Sequence, residues 1–348
     1  MNILFVSNMY PSKERPSYGV FVKNIYDEME QAHSGKLILC VMTHSENKMW
    51  PYLNFYLKFL FLLITNKVDI VYCHFLSRTS ILGATAKFFF GKKVVFNVHG
   101  SDYLLPKIKG GIQHKFNLWA ISFANGIVVP SNAFKQFILP DINTSYEYKI
   151  FISPSGGVNI PTDIQYSRHN IQPLKCLYVG RVNAAKGIDT IIDALNAVTR
   201  DVELTVVGKV EEDLFASLNN ENVSCLVVGE VTQELLKQYY SQSNLFLFPT
   251  KYFESLGLSP LEAMSFGLPV IGSNYGPVPE YVRDGYNGFL IEKGNSAELL
   301  DCIERFCHLS SAQRQNLSVN AASTALEYSR KKVVKDLLRY LESCFENA

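Results

Sequence analysis

The sequence predicts an α/β protein of two doubly wound domains, each a parallel sheet with helices on both faces, facing each other across a cleft. Three observations predict it. Short apolar runs of strand length alternate with helix-length segments along the whole chain, the βαβα rhythm of a parallel sheet. The rhythm breaks once, over 153–173 ("SPSGGVNIPTDIQYSRHNIQP"), where Gly, Pro and polar residues replace periodic apolar ones, and then restarts. The chain has 348 residues, 47% apolar and 19% charged, enough for two buried cores and too apolar for disorder.

In the first half the strand candidates are "NILFVS" (2–7), "KLILCVM" (36–42), "DIVYCH" (69–74), "KVVFNV" (93–98), "GIVVP" (126–130) and "KIFIS" (149–153). In the second they are "LKCLYVGR" (174–181), "VELTVVG" (202–208), "VSCLVVG" (223–229), "NLFLFP" (244–249) and "LPVIGS" (268–273). Parallel sheets of this kind bind ligands beyond the carboxyl ends of their strands, so the loop after each strand is where chemistry is sought.

After the first strand, "NMYPSKERPSYGVFVKNI" ends in Gly19, just before a helix beginning near Val20. Glycine there exposes backbone N–H groups that can receive phosphate oxygens. "NVHGSDY" closes the fourth strand and sets His99, Ser101 and Asp102 at the carboxyl edge. In "YVGRVNAAKGIDTIIDAL", Arg181 and Lys186 flank a strand-to-helix turn, where they could clamp a diphosphate or could be solvated loop charges. In "FPTKYFESLGLSPLEAM", Ser259-Pro260-Leu261-Glu262 matches a capping box with Pro at the first helical position. That accounts for Glu262 as a cap. It does not account for Glu254, which lies in the loop before the helix.

These segments carry a resemblance. "YVGRVNAAKG", "VVGEVTQELLKQYYSQSNLFLFPT", "ESLGLSPLEAMSFGLPVI" and "VRDGYNGFL" occur in the order and spacing of the retaining glycosyltransferases of family 4, which have the GT-B fold. "NKVDIVYCH", "VVFNVHGSD" and "SNAFK" fit the same pattern less specifically in the first half. The resemblance implies two Rossmann-like domains. An acceptor-binding domain spans 1–158, with a last helix at about 328–348 crossing back to it, and a donor-binding domain spans 159–327. Hinge closure over the donor is the implied working motion.

The resemblance also implies roles. Arg181 and Lys186 would neutralise the donor diphosphate as charge develops on the leaving nucleotide. Glu262 would accept hydrogen bonds from the ribose, and Glu254 would bind and orient the sugar. Backbone N–H groups at Leu256, Gly257 and Leu258 would add to the phosphate site, and backbone around Val231 would meet the base. Gly19 would touch the diphosphate and His99 would lie by the donor sugar. Catalysis would then rest on Glu254, His99, Arg181 and Lys186, with the donor UDP- or GDP-linked. No D-x-D motif is present to carry a metal to the phosphates, so no metal and no cofactor are expected. Transfer is expected with retention, by front-face attack aided by the donor phosphate. The chain departs from its relatives at Tyr18-Gly19 in place of a double glycine, at "SPSGG" in place of "PNG", and at Gly276-Pro277 in a usually Gly-Gly loop that keeps Glu280.

Charge divides the chain. Residues 1–160 hold 16 Lys/Arg against 9 Asp/Glu, while the remainder holds 17 against 23. A basic, aromatic-rich first half points to an anionic lipid surface; no RNA or DNA motif appears, and nucleic acid is not expected. "YLNFYLKFLFLLI", Tyr52 to Ile64, is too short to span a bilayer and reads either as a buried core helix or as a helix dipping into a membrane interface. "MNILFVSNMYP" lacks a basic leader, and the seven cysteines form no C-x-x-C pair, so reduced thiols in a cytoplasmic protein are expected. The leading expectation is a glycosyltransferase building a cell-surface polysaccharide or glycolipid at the inner membrane face. A nucleotide-sugar epimerase of the same fold would turn over donor without acceptor, and a non-catalytic subunit would only bind it. A dehydrogenase would want G-x-G-x-x-G, which is absent.

Overall fold

The computed structural model describes residues 1–12, 15, 18–42, 49–162 and 171–346. Part of the first loop and residues 163–170 of the expected linker therefore lie outside the described residues. Contacts divide the chain into two units, one of Met1–Gly157 with Arg330–Ala348 and one of Val158–Ser329.

The first unit runs β1 (Ile3–Ser7), α1 (Val20–Ala32), β2 (Leu37–Val41), α2 (Met49–Thr65), β3 (Ile70–His74), α3 (Leu76–Phe90), β4 (Lys93–Asn97), α4 (Ser101–Lys109), α5 (Ile112–Phe123), β5 (Gly126–Val129), α6 (Asn132–Ile138) and β6 (Ile150–Ile152). Its strands pair in parallel in the order β2-β1-β3-β4-β5-β6. Residues of β1, β3 and β5 are buried throughout, which is why they read as unbroken apolar runs rather than alternating ones.

Helix α1 turns Val22, Ile25, Tyr26 and Met29, one face at helical spacing, onto β1 and β3. A last helix, α13 (Arg330–Glu346), packs beside it with Val334, Leu337, Leu338 and Leu341 in the same core. Tyr340 fastens α13 to the far strands. Its hydroxyl accepts from the Ile127 amide at 3.1 Å and donates to the Lys149 carbonyl, and its ring stacks on Phe151 at 4.6 Å.

Helix α2 is buried on one side only. Phe55, Phe59 and Leu63 are buried, but Trp50, Leu53, Leu57, Phe61 and Ile64 form an exposed stripe at i, i+3, i+4 spacing. The buried-helix expectation is thus corrected. A run apolar on every side cannot say which side meets the sheet; β2 and α3 take one side only. Among the described residues no helix is long and apolar enough to cross a membrane.

The second unit runs β7 (Leu174–Val179), α7 (Ile188–Asn196), β8 (Val202–Val207), β9 (Val223–Gly229), α8 (Gln233–Gln242), β10 (Leu245–Phe248), α9 (Leu258–Ser265), β11 (Val270–Ser273), α10 (Val278–Tyr281), β12 (Gly288–Ile291), α11 (Ser296–His308) and α12 (Ser311–Glu327). The sheet is parallel, in the order β12-β11-β10-β7-β8-β9. Strand β12 was not foreseen. Its four residues, Gly-Phe-Leu-Ile, are too few to show a period, and only pairing with β11 makes them a strand.

Both sheets have a point where chain order reverses. In the second unit β8 and β9 extend from one side of β7 and β10 from the other, so the loops after β7 and β10 flank the reversal point, the place where sheets of this kind bind ligands. In the first unit the same reversal falls between β1 and β3.

Candidate functional site

In the second unit Arg181 follows β7, Glu211 and Glu212 follow β8, Val231 follows β9 and Glu254 follows β10. A parallel sheet puts all these carboxyl ends on one edge, so residues tens of positions apart are neighbours. The loops nearest the reversal point carry the charges.

A 3-10 turn at Ala184–Lys186 holds Lys186, with Asn183 accepting from the Lys186 amide at 3.0 Å. Gly187 follows at φ 83, and a Cβ there would lie 2.0 Å from the Pro249 carbonyl oxygen. Only glycine lets the turn press against the end of β10. The Lys251 amide bonds to the Ala185 carbonyl at 3.0 Å across the same contact. This approach delivers Lys186 Nζ to Glu254 Oε1 in an ion pair whose side chains are 14% and 13% exposed. Thr250 Oγ1 lies 3.2 Å from the same carboxylate oxygen, and Lys186 Nζ sits 5.0 Å from the centre of the Tyr252 ring.

Arg181 is more open, 3.7 Å from Glu211. Arg181 and Glu254 both act on the Tyr252 hydroxyl, which burial chiefly pushes up, so the two lie in one neighbourhood. The structure therefore brings Arg181, Lys186 and Glu254 together, each cation beside a different carboxylate. Glu211 and Tyr252 were missed in the sequence because nothing in a strand-loop pattern says which loops meet.

Helix α9 corrects the capping-box expectation. Its N-cap is Gly257 at φ 86, not Ser259, and the helix begins at Leu258. Glycine in the left-handed conformation ends the loop two residues earlier than the Ser-Pro signal, and Pro260 falls in the first turn, where its missing N–H has no intrahelical partner to lose. A Cβ on Gly257 would meet the Tyr281 hydroxyl at 2.8 Å, and that hydroxyl donates to the Leu256 carbonyl at 3.0 Å. Tyr281 thus clamps the loop in which Leu256 is buried and Gly257 and Leu258 open the helix. Glycine at the N-cap offers no side-chain acceptor to the first N–H groups of α9.

Glu262 instead accepts from the Tyr240 hydroxyl of α8 at 3.0 Å. Burial raises the Tyr240 phenol well above its ordinary range, with Glu262 adding to it. Val231, half-buried, precedes Thr232, the N-cap of α8.

Gly19 and His99 belong to the first unit. Gly19, at φ 73, is the N-cap of α1 as expected, and Phe21 on that first turn lies 5.0 Å from the His99 ring. Asp102 turns into its own unit. It is buried, and its carboxylate accepts from the His99 amide at 3.0 Å and the Leu76 amide at 2.8 Å, tying the loop after β4 to the start of α3. Burial raises its carboxyl to about 6 despite those bonds. Under it, His74 Nδ1 lies 2.9 Å from His99 Nε2. Burial holds both imidazoles well below their ordinary range. Among the described residues no three His, Cys, Asp or Glu side chains gather as metal ligands would.

These groups predict acid lability with a definite sign. Below about pH 6.5 the unfolded chain protonates His74 and His99 while the native pair stays neutral, so stability falls by roughly 1.4 kcal/mol per imidazole per pH unit. Asp102 opposes this between about pH 6 and 4, because its native form takes up the proton first. Two imidazoles outweigh one carboxyl, so the urea midpoint is expected to drop between pH 6.5 and 5. A midpoint flat over that range would contradict neutral rings at His74 and His99.

A parallel doubly wound pair of units with a loaded edge in the second is the architecture of the GT-B glycosyltransferases. Anabaena HepE in complex with UDP superposes with a TM-score of 0.76 at 20% identity, over 99% of this chain and 100% of that one. Residues 159–324 match the family described as glycosyl transferases group 1, and residues 22–144 match glycosyltransferase family 4. The chain belongs to these family 4, group 1 glycosyltransferases and is a transferase of that class. An uncharacterized glycosyltransferase of Methanocaldococcus jannaschii is 24% identical over 278 residues, 79% of this chain and 75% of the relative. The capsular polysaccharide biosynthesis glycosyltransferase CapM of Staphylococcus aureus is 25% identical over 256 residues, 66% of this chain and 64%, under two thirds, of its own length.

Proposed function

We propose that the chain is a retaining glycosyltransferase that moves a sugar from a UDP- or GDP-linked donor to a glycan or lipid-linked acceptor, in synthesis of a cell-surface polysaccharide or glycolipid. The pairing of Lys186 with Glu254, three residues ahead of the glycine-capped N-terminus of α9, carries this reading. It places a cation, a carboxylate and helix-end N–H groups within one loop cluster. Those are the three things a sugar diphosphate needs: charge for the phosphates, an acceptor for sugar hydroxyls and amide donors for phosphate oxygens.

In this reading Lys186 and Arg181 neutralise the diphosphate and stabilise the leaving nucleotide, with the amides at Leu256, Gly257 and Leu258 assisting. Glu254 orients the sugar, Glu262 holds the ribose, and backbone at Val231 meets the base. The first unit contributes Gly19 and His99. Attack occurs on the face the nucleotide leaves, with a donor phosphate oxygen taking the acceptor proton, and no metal or cofactor takes part. The relative named for capsular polysaccharide biosynthesis supports the glycan acceptor. The neighbour of like fold, seen with UDP and with UDP-glucose, puts UDP-sugars first among donors to test.

The experiment is a thermal-shift screen of UDP-, GDP- and ADP-sugars, since a ligand of the native state raises its melting temperature. A donor at 100 times its Kd contributes about 2.7 kcal/mol, a shift of a few degrees. No shift from any nucleotide sugar would sink the reading. Turnover of the donor with no acceptor present would favour the epimerase instead.

We also place the protein at the cytoplasmic face of the membrane, in peripheral contact with anionic lipid. The exposed stripe of α2, with Lys58 also exposed on it, and the exposed Phe88, Phe89, Phe116 and Trp119 of α3 and α5 support this in a half of the chain that is net basic. Leu57→Ser with Phe61→Ser is expected to weaken binding to vesicles containing phosphatidylserine by at least about tenfold. Equal binding would remove the membrane from the proposal.

A further inference from the structure

We propose that His74 is a positioning residue: through Nδ1–H it holds His99 in the tautomer protonated on Nδ1, so that His99 offers a neutral N–H donor to an oxygen of the bound sugar donor. The sugar contact rests on the reading of His99 given above; the tautomer does not.

The geometry is specific. His74, at the last position of β3, is fully buried, and His99 follows the end of β4. The two rings are nearly parallel, 13° apart with centres 5.1 Å apart, and joined by Nδ1 of His74 and Nε2 of His99 at 2.9 Å. Phe5 and Tyr72 wall His74 at 4.3 and 4.6 Å. Its Nε2 is sealed from solvent and has no hydrogen-bond partner among the described residues.

Two neutral imidazoles can share one hydrogen, so one ring donates and the other accepts. Were His99 the donor, His74 would accept at Nδ1 and carry its own proton on Nε2, a buried N–H with nowhere to donate. Were His74 the donor, its Nε2 would be a bare lone pair. Folded proteins tolerate an orphan acceptor better than an orphan N–H, so His74 donates. His99 Nε2 is then occupied as an acceptor and its proton sits on Nδ1.

The charged groups nearby leave this arrangement in place. The Asp102 carboxylate is engaged by the amides of Leu76 and His99, not by either ring. The Tyr72 hydroxyl accepts from Asn97 at 2.5 Å. A carboxylate orienting His99 would also make it more basic and draw it toward the imidazolium form. A neutral imidazole orients it without adding charge, and His99 remains a donor that neither takes nor gives up a proton during transfer.

The test is a two-bond proton–nitrogen spectrum of protein labelled with 15N-histidine at pH 7, its seven histidines assigned with His74→Gln and His99→Gln. Wild-type His99 is expected to show a protonated Nδ1 and a bare Nε2. In His74→Phe, His99 should move to the Nε2–H tautomer preferred in water, and kcat/KM for transfer should fall about tenfold, the scale of one neutral hydrogen bond. His74→Gln, whose amide can donate to the same nitrogen, should restore both. A protonated His99 Nε2 in the wild type overturns the proposal without any variant having to fold. An unchanged tautomer in a folded His74→Phe overturns it as well. Normal transfer by His99→Ala, with the wild-type tautomer as expected, would instead remove the sugar contact and leave the positioning supported.

Discussion

Lys186→Ala is expected to lower kcat/KM for transfer by about 10³-fold, the cost of removing one preorganised group from developing charge. Lys186 is well placed for that role because it is 14% exposed and fixed by its turn. A cation in such surroundings is worth far more to a leaving diphosphate than one in water. Most of the loss should appear in kcat, because charge on the nucleotide grows as the sugar leaves. Lys186→Arg should recover part of it, limited by the larger head against Tyr252. The variant also leaves Glu254 without its cation, so folding is checked by the urea midpoint alongside the rate. A rate within threefold of wild type would show that Lys186 is not in the reacting site.

Glu254→Gln is expected to separate two properties that usually fall together. Transfer should drop by about 10²–10³-fold, because the carboxylate that orients the sugar is gone. Affinity for the bare nucleoside diphosphate should rise by about tenfold. In the free protein Lys186 is committed to Glu254, and any phosphate must draw it away. Removing the carboxylate leaves a nearly buried cation in want of an anion. Titration calorimetry with UDP or GDP, whichever the screen selects, measures the second effect. Weaker nucleotide binding in a folded Glu254→Gln would mean that Glu254 supports the phosphate site rather than competing with it.

Much of this molecule was legible in order along the chain. Eleven of the strands were readable as apolar runs, most clearly β1, β3, β5, β10 and β11, which are buried at every position and so need apolar residues throughout. The start of α1 at Val20 was readable from Gly19. The carboxylates Glu254 and Glu262 and the cations Arg181 and Lys186 stood out because they interrupt otherwise apolar or glycine-bearing segments. The start of α9 was misread, since the Ser-Pro signal for a cap was outweighed by a glycine whose positive φ begins the helix sooner.

By itself, then, the sequence determined the two parallel sheets, the break between them and the loops that carry polar residues. All of these follow from short-range rules: the hydrophobic period, turn chemistry and which residue tolerates which backbone angle. Only the tertiary structure decided which of those residues meet. Lys186 and Glu254 are 68 residues apart, Tyr240 and Glu262 are 22 apart, and His74 and His99 are 25 apart. The two sides of α2 could be told apart only once the sheet had covered one of them. The reason is the same in each case. Periodicity records whether a side chain leaves water, but strand order and the depth of each loop select the neighbour it finds, and in a parallel sheet that neighbour comes from a crossover rather than from the adjacent stretch of chain.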